Sequence, residues 1–420
     1  MTTPIAVLII FLLTYALFVF FPKHRTMLAL SASAVLLLGR ALTPEQAFWA
    51  VNWNVMGIFV GTLAVADIFM ESRVPAHLAE LIVDRAKNTG WAILLICLLT
   101  GFISAFVENV ATVLIVAPIA LALAKKLQIN PVNMMIAIAV SSNLQGTSTL
   151  IGDPPSMLLG GFAKMTFWDF FFYHGKPSIF FAVELGALAS FFVLYYFFRQ
   201  QRAKTALVRV EKIKSLFPTG LLAALVICLA LSSFIPFEGA AGTICLMFGL
   251  VSLLWKVATQ KTPFFREIVK LDWDTTLFLV GVFVLVGSLT LAGWLDIFAS
   301  QLAALVGSNV LLGFITIVVV SVVISAFVDN VPFLAAMLPV AVTLSAKLGI
   351  EPSLLLFGLL IGASLGGNIT PIGASANIVA CGLLKEEGHQ VSFGEFARIG
   401  LPFTLVAVTA ASLFLWFVWR

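Results

Sequence analysis

The 420-residue chain predicts an all-α polytopic membrane protein: two inverted repeats of about five transmembrane helices, each with a re-entrant hairpin and a broken helix. Three observations predict it. Hydrophobic residues make up 61% of the chain and charged residues only 10%, with a mean hydropathy of +1.09, more apolar surface than a soluble domain can hide. Apolar runs approach the ~20 residues that cross a bilayer. They are continuous, as helices require, and do not alternate as β-barrel strands do. Finally, the chain repeats itself at an offset of 221: Ile103–Val107 recurs as Ile324–Val328, and Pro118, Lys126, Pro131, Gly146, Gly152 and Lys164 match Pro339, Lys347, Pro352, Gly367, Gly373 and Lys385. A five-residue identity in register with the rest marks duplication.

The elements follow in order. Residues 4–21 form a first span closed by Lys23, His24 and Arg25. The N-terminus lacks a basic leader and a small-residue cleavage site, so it reads as a retained span. A short span covers 27–39, and a third covers 49–69, with Trp49 and Trp53 suited to an interface belt. Residues 71–87 suit an amphipathic surface helix. An apolar pair, 91–107 and 113–124, is broken at 107–112; then come 131–145, a polar break at 143–155, 156–163, and a span at 178–198. Residues 199–215 carry six basic residues and one acid. They divide a first repeat (1–198) from a second (216–420). The second half repeats the order: 217–234, 240–257, a basic loop, 273–291, an amphipathic 294–305, a pair broken at 328–333, 352–366, a break at 366–377, 378–384 and 400–418.

If 91–126 and 310–347 are re-entrant hairpins, each half crosses five times and the second copy is inverted. With the N-terminus outside and 199–215 cytoplasmic, 19 of the 24 Lys and Arg face the cytoplasm of a cell (inner) membrane, the expected bias. The net charge of +4 therefore reports topology; the partner is the lipid bilayer, with no nucleic acid. Cys97, Cys228, Cys245 and Cys381 lie in or beside spans without metal or redox spacing, and the four histidines fall in loops. With no HExxH motif, Ser/His pair or Cys cluster in the spans, the chain reads as no enzyme, needing no cofactor or metal beyond Na⁺ or H⁺ as coupling ion.

Irregular backbone at membrane depth survives only where protein buries it or it lines a cavity, and paired broken helices are a secondary-transporter signature. The hairpin tips offer Glu108, Asn109 and Thr112, then Asp329 and Asn330. Asparagine both accepts and donates, and a helix starting after the tip aims N–H groups at an anion. Alternatively, Asn109 and Asn330 simply cap the second arm. The second breaks bring Gly146, Gly152, Gly366, Gly367 and Gly373 for close backbone approach, with Thr147, Ser148, Thr149, Asn368, Thr370, Ser375 and Asn377 for neutral hydrogen bonds. The expected substrate site is thus Asn109, Thr112, Gly146, Thr147, Ser148, Thr149, Asn330, Gly367, Asn368, Thr370, Ser375 and Asn377. Glu108, Asp329 and Asp153 are the coupling-ion candidates. Asp153 precedes two prolines and equally suits a helix cap, and its counterpart is Ala374. Glu184 and Asp67 are further intramembrane acids and so candidates by default. No arginine falls in a core span, which leaves anion recognition to helix ends and amides.

The stretches SAFVENVATVLIVAPI and SAFVDNVPFLAAMLPV, with NLQGTSTLIGDPPSM and GGNITPIGASANIV, resemble the ion transporter superfamily with its citrate transporter-like fold. Within it they resemble the branch of arsenite permeases, P protein and sodium/proton antiporters, over essentially the whole chain. Related divalent-anion/sodium symporters carry Ser-Asn-Thr at each tip; here Asn109 and Asn330 keep the Asn, while Glu108 and Asp329 replace the serine. The resemblance implies hairpins from opposite faces, a substrate site between tips and broken helices, a homodimer with a moving transport domain, and an energising ATPase subunit for an arsenite-type pump. The expected function is a secondary active transporter of a small anion or metalloid oxyacid, arsenite- or citrate-type, coupled to Na⁺ or H⁺. A Na⁺/H⁺ antiporter is the alternative within transport, and an ion channel the alternative outside it.

Overall fold

The computed structural model describes residues 4–203, 212–235, 237 and 239–420; the centre of the predicted linker, 204–211, lies outside the described residues. The first half folds as α1 (Pro4–Phe20), α2 (Arg25–Leu38), α3 (Pro44–Ala50), α4 (Trp53–Glu71), α5 (Val74–Arg85), α6 (Thr89–Ser104), α7 (Asn109–Leu127), α8 (Val132–Gly146), α9 (Pro154–Phe162) and α10 (Ile179–Phe198). The second folds as α11 (Phe217–Ser232), α12 (Ala240–Gln260), α13 (Phe264–Val269), α14 (Trp273–Leu291), α15 (Trp294–Val306), α16 (Val310–Ser325), α17 (Asn330–Leu348), α18 (Ser353–Gly366), α19 (Ser375–Glu386) and α20 (Phe393–Trp419). Both halves present the same order of long and short helices. Among the described residues, seven helices are long and apolar enough to cross a membrane, and the protein is a nearly all-helical, multi-pass membrane protein.

Small residues decide how the halves meet. α4 packs on α12 and, in exchange, α2 packs on α14. A Cβ on Gly61 would fall 2.2 Å from the Cys245 backbone, and one on Gly281 2.7 Å from Ala29 Cβ; helices approach this closely only where side chains are small. α8 and α18 form the centre. Every residue of α18 is buried, as are most of α8, which suits helices apolar on all sides. Each gives way at its C-terminal end to an irregular stretch, then to the short helix α9 or α19.

The amphipathic stretches expected at 71–87 and 294–305 fold as the helices α5 and α15. α20 begins at Phe393 rather than near 400, because a capping box starts it: Ser392 Oγ accepts from Glu395 N at 3.3 Å and Glu395 Oε2 accepts from Ser392 N at 2.9 Å. An unforeseen two-stranded hairpin pairs Phe172–Tyr173 with Lys176–Pro177. Two basic residues read as loop charges are not free loop charges. Lys256 lies inside α12 with its side chain 2% exposed, bound to Asp67, Glu71 and Glu267. Arg25 opens α2 and is bound to Asp329.

Candidate functional site

At each tip, one helix ends at Ser104 or Ser325, the chain turns over four residues, and the next starts at Asn109 or Asn330. The acid before each asparagine caps that second helix: Glu108 Oε2 accepts from Ala111 N at 3.0 Å, and Asp329 Oδ1 accepts from Val331 N at 3.0 Å. This corrects the reading of the asparagines as caps, since a carboxylate one residue earlier takes the free N–H. Asn109 is left for other work. Its Oδ1 accepts from Ser104 Oγ at 2.6 Å, its main-chain oxygen accepts from Ser142 Oγ at 3.2 Å, and its side chain lies near the Asp153 carboxylate. Thr112 is fully buried and back-bonds to Val107 O (3.3 Å) and Glu108 O (3.2 Å), holding the turn. Phe333 stands at the matching position of the second tip.

The breaks lean on the tips in the same way in both halves. Thr149 Oγ1 donates to Ala105 O and Thr370 Oγ1 to Ala326 O. Gly146 must lack a side chain here, since a Cβ would sit 2.1 Å from Asn109 Oδ1. Gly146→Ala is therefore expected to dislodge Asn109 and reduce transport at least tenfold, a loss of about 1.4 kcal/mol of site geometry, with normal yield of folded protein; uptake by reconstituted protein checks it. Gly367 and Gly373 meet in the same manner, a Cβ on either falling 2.6 Å from the other's oxygen. Asp153 is 1% exposed and caps α9: its Oδ1 accepts from Ser156 N at 2.9 Å, and its Oδ2 from Thr147 Oγ1 at 3.4 Å. It is thus both a cap and a carboxylate facing Asn109.

Across the halves, three buried asparagines bond one another. Asn143 Nδ2 donates to Asn368 Oδ1 (2.8 Å) and Asn377 Oδ1 (2.9 Å); Asn377 Nδ2 donates to Gly367 O and Thr370 O, each 2.9 Å, and Asn368 Nδ2 to Val140 O at 3.3 Å. Such buried networks specify one arrangement when every member is paired. Asn143 was missed as a site residue because its repeat match is Ser364, so duplication does not flag it. Ser104 and Ser142, which hold Asn109, were missed as ordinary helical serines. Ser148 Oγ bonds back to Gln145 O at 2.6 Å, and Ser375 is half-buried at the start of α19.

The second tip differs. Asn330 is half-buried and makes no side-chain hydrogen bond among the described residues. Asp329 pairs with Arg25, the first residue of α2, which brings the guanidinium in from 304 residues away. Asp67 is not a free intramembrane acid, since it bonds Lys256 Nζ at 2.6 Å. Glu184 lies half-buried beside Gln145. A cleft of about 440 Å³ opens elsewhere, between α3, α9, α14 and α17, and is mostly apolar apart from Gln46, Asn52 and Thr290.

The chain matches the citrate transporter family over residues 15–259 and 240–420. An uncharacterized transporter of Mycobacterium tuberculosis is 29% identical over 419 residues, covering 97% of this chain and 96% of that protein. The P protein of Homo sapiens is 26% identical over 490 residues, covering 96% of this chain and 58% of that protein. Among solved structures, the YdaH transporter of Alcanivorax borkumensis shares the fold at a TM-score of 0.61 and 15% identity, over 88% of this chain and 86% of that one. The MtrF efflux pump of Neisseria gonorrhoeae does so at 0.57 and 14%, over 92% and 84%. The family and these relatives are transporters rather than enzymes. With the family matched over both halves, this chain is a membrane transporter that belongs to the citrate transporter family.

Proposed function

We propose that the protein is a secondary active transporter of a small anion or metalloid oxyacid, coupled to Na⁺ or H⁺. The carrying observation is that Asn109 links the tip to the break, bonded to Ser104 and packed against Gly146, with Glu108 adjacent and the Asp153 carboxylate nearby. In this reading Glu108 and Asp153 take the coupling cation. Asn109, Asn330 and the Gly/Thr/Ser backbone of the breaks (Gly146, Thr147, Ser148, Thr149, Gly367, Thr370 and Ser375) hold the substrate. Thr112, Asn368 and Asn377 support it from behind. A Na⁺/H⁺ antiporter is the second reading, favoured by the acids Asp272 and Asp153 clustered near Glu108. Flux assays in proteoliposomes with citrate, arsenite, sulfate and Na⁺/H⁺ exchange separate the two: exchange without solute flux supports the antiporter, and flux of neither kind sinks both.

The proposed transport cycle uses inverted repeats in an inner membrane, with the N-terminus outside, 199–215 cytoplasmic and a homodimer as the working form, joined by an ATPase subunit if the substrate is arsenite. α6 and α16, at 16 residues each, span about 24 Å, short of the ~30 Å hydrocarbon core and suited to re-entrant arms. Lys126 and Lys347 are repeat mates, exposed at the ends of α7 and α17. Single cysteines placed there are expected to react with impermeant maleimide from opposite faces; labelling from one face would end the inverted arrangement.

A further inference from the structure

The two tip carboxylates are held differently. Asp329 gives one oxygen to Val331 N at 3.0 Å and the other to Arg25. The Arg25 guanidinium sits 4.8 Å over the Phe278 ring and donates from Nη2 to Thr275 Oγ1 at 3.5 Å, both on α14. Tyr15 secures the same tip, donating from its hydroxyl to Pro332 O at 2.7 Å. The Arg25 and Asp329 side chains are 20% and 23% exposed, so opposite charges hold each other more strongly than they would in water.

The duplication supplies a comparison inside the molecule. Thr26 Oγ1 donates to Asp274 O where α2 meets α14, and Gly281 lies against Ala29. Gly242 N donates to Asn54 Oδ1 where α12 meets α4, and Gly61 lies against Cys245. These contacts align Thr26 with Gly242, and therefore Arg25 with Ala241. Among the described residues no cation lies within ion-pair distance of Glu108. Two acids, Asp272 and Asp153, lie near Glu108. Near Asp329 lie Arg25 and, through Thr275, Asp272, beside the neutral Tyr15 hydroxyl.

We infer that Arg25 sets the number of coupling cations: by neutralising Asp329 it leaves the Glu108 tip as the one ion-accepting tip. This rests on the reading that Glu108 takes the coupling cation. Without the guanidinium, Asp329 is an uncompensated, partly buried carboxylate that gains by taking up a cation. Asn330 lies next to it, with a side chain that makes no hydrogen bond among the described residues.

The test uses full-length protein in proteoliposomes, with uptake of radiolabelled citrate and of arsenite measured against graded Na⁺ and H⁺ for wild type, R25K, R25Q, D329N and R25Q/D329N. In R25Q the Hill coefficient for the activating cation is expected to rise by about one, since it is bounded by the number of sites. It stays at the wild-type value in R25K, which keeps the charge, and returns to it in R25Q/D329N. An R25Q variant that is slower but equally steep overturns the inference, as does a double variant that keeps the R25Q steepness; both leave the Glu108 reading intact. D329N provides the check should R25Q fail to reach the membrane: unchanged steepness supports the inference, and reduced steepness overturns it, because Asp329 would already be taking a cation. A wild type without cation dependence, or one that moves neither probe, overturns the inference together with the reading beneath it.

Discussion

Replacing Asn109 with alanine is expected to lower substrate uptake by roughly 10- to 100-fold, the cost of deleting one partner of a buried polar contact, while the protein still expresses and melts near the wild-type temperature. Asn109 is 8% exposed and packs its side chain from the first tip against Gly146 of the break, beside the Thr149–Ala105 bond. Its removal need not unfold the hairpin. Ser104 Oγ keeps Ser142 Oγ at 2.9 Å, and Glu108 still caps α7 through Ala111 N. Uptake into proteoliposomes, read beside a thermal melt in detergent, separates the effects. Normal uptake would remove the first tip from the mechanism, and a collapsed melt would recast Asn109 as structural.

The largest expected effect on stability comes from Lys256→Met. The Lys256 ammonium reaches Asp67 Oδ2 at 2.6 Å, Glu71 Oε1 at 2.8 Å and Glu267 Oε2 at 3.0 Å, tying the end of α4 to α12 and α13. Lys270 Nζ holds the other Glu267 oxygen at 2.7 Å. That contact does most to hold the Glu267 carboxyl down, to about 2, against burial, which pushes it up, with Lys256 assisting. Methionine fills similar space but leaves carboxylates facing one another. Removing one partner of a buried ion pair costs about 3 kcal/mol, and half-exposed Asp67 and Glu71 keep the loss at that lower end. A melting temperature lower by several degrees, partly recovered on adding Glu267→Gln, is the expected result. An unchanged melt would mean that the glycine-lined contact of α4 with α12 holds this region without the charges.

Much of the fold is legible in the sequence because its causes are local. Apolar runs must become helices in lipid, so α4, α10 and α14 answer the spans expected at 49–69, 178–198 and 273–291, though α4 starts only at Trp53 because Trp49 and Ala50 end α3. The breaks are legible because clusters of Gly, Asn, Thr and Pro interrupt the apolar runs, whereas single ones do not: α18 continues through Gly358 and Gly362, and α7 through Pro118. Boundaries set by side-chain capping are less so: α20 starts early because Ser392 and Glu395 bond each other, a reciprocal contact that hydropathy does not register.

The site divides along the same line. Membrane class, helix content, the duplicated acid–Asn tips and the family are all written in the order of residues, because each is a property of a segment or of its copy. The partners of those tips are written nowhere along the chain. Arg25 meets Asp329 from 304 residues away, and Asn143 meets Asn377 from 234. The repeat even misleads there, since Arg25 aligns with an alanine and Asn143 with a serine. Only packing α2 against α14, and α8 against α19, brings these groups together, and the low dielectric of that packed interior makes their pairing consequential.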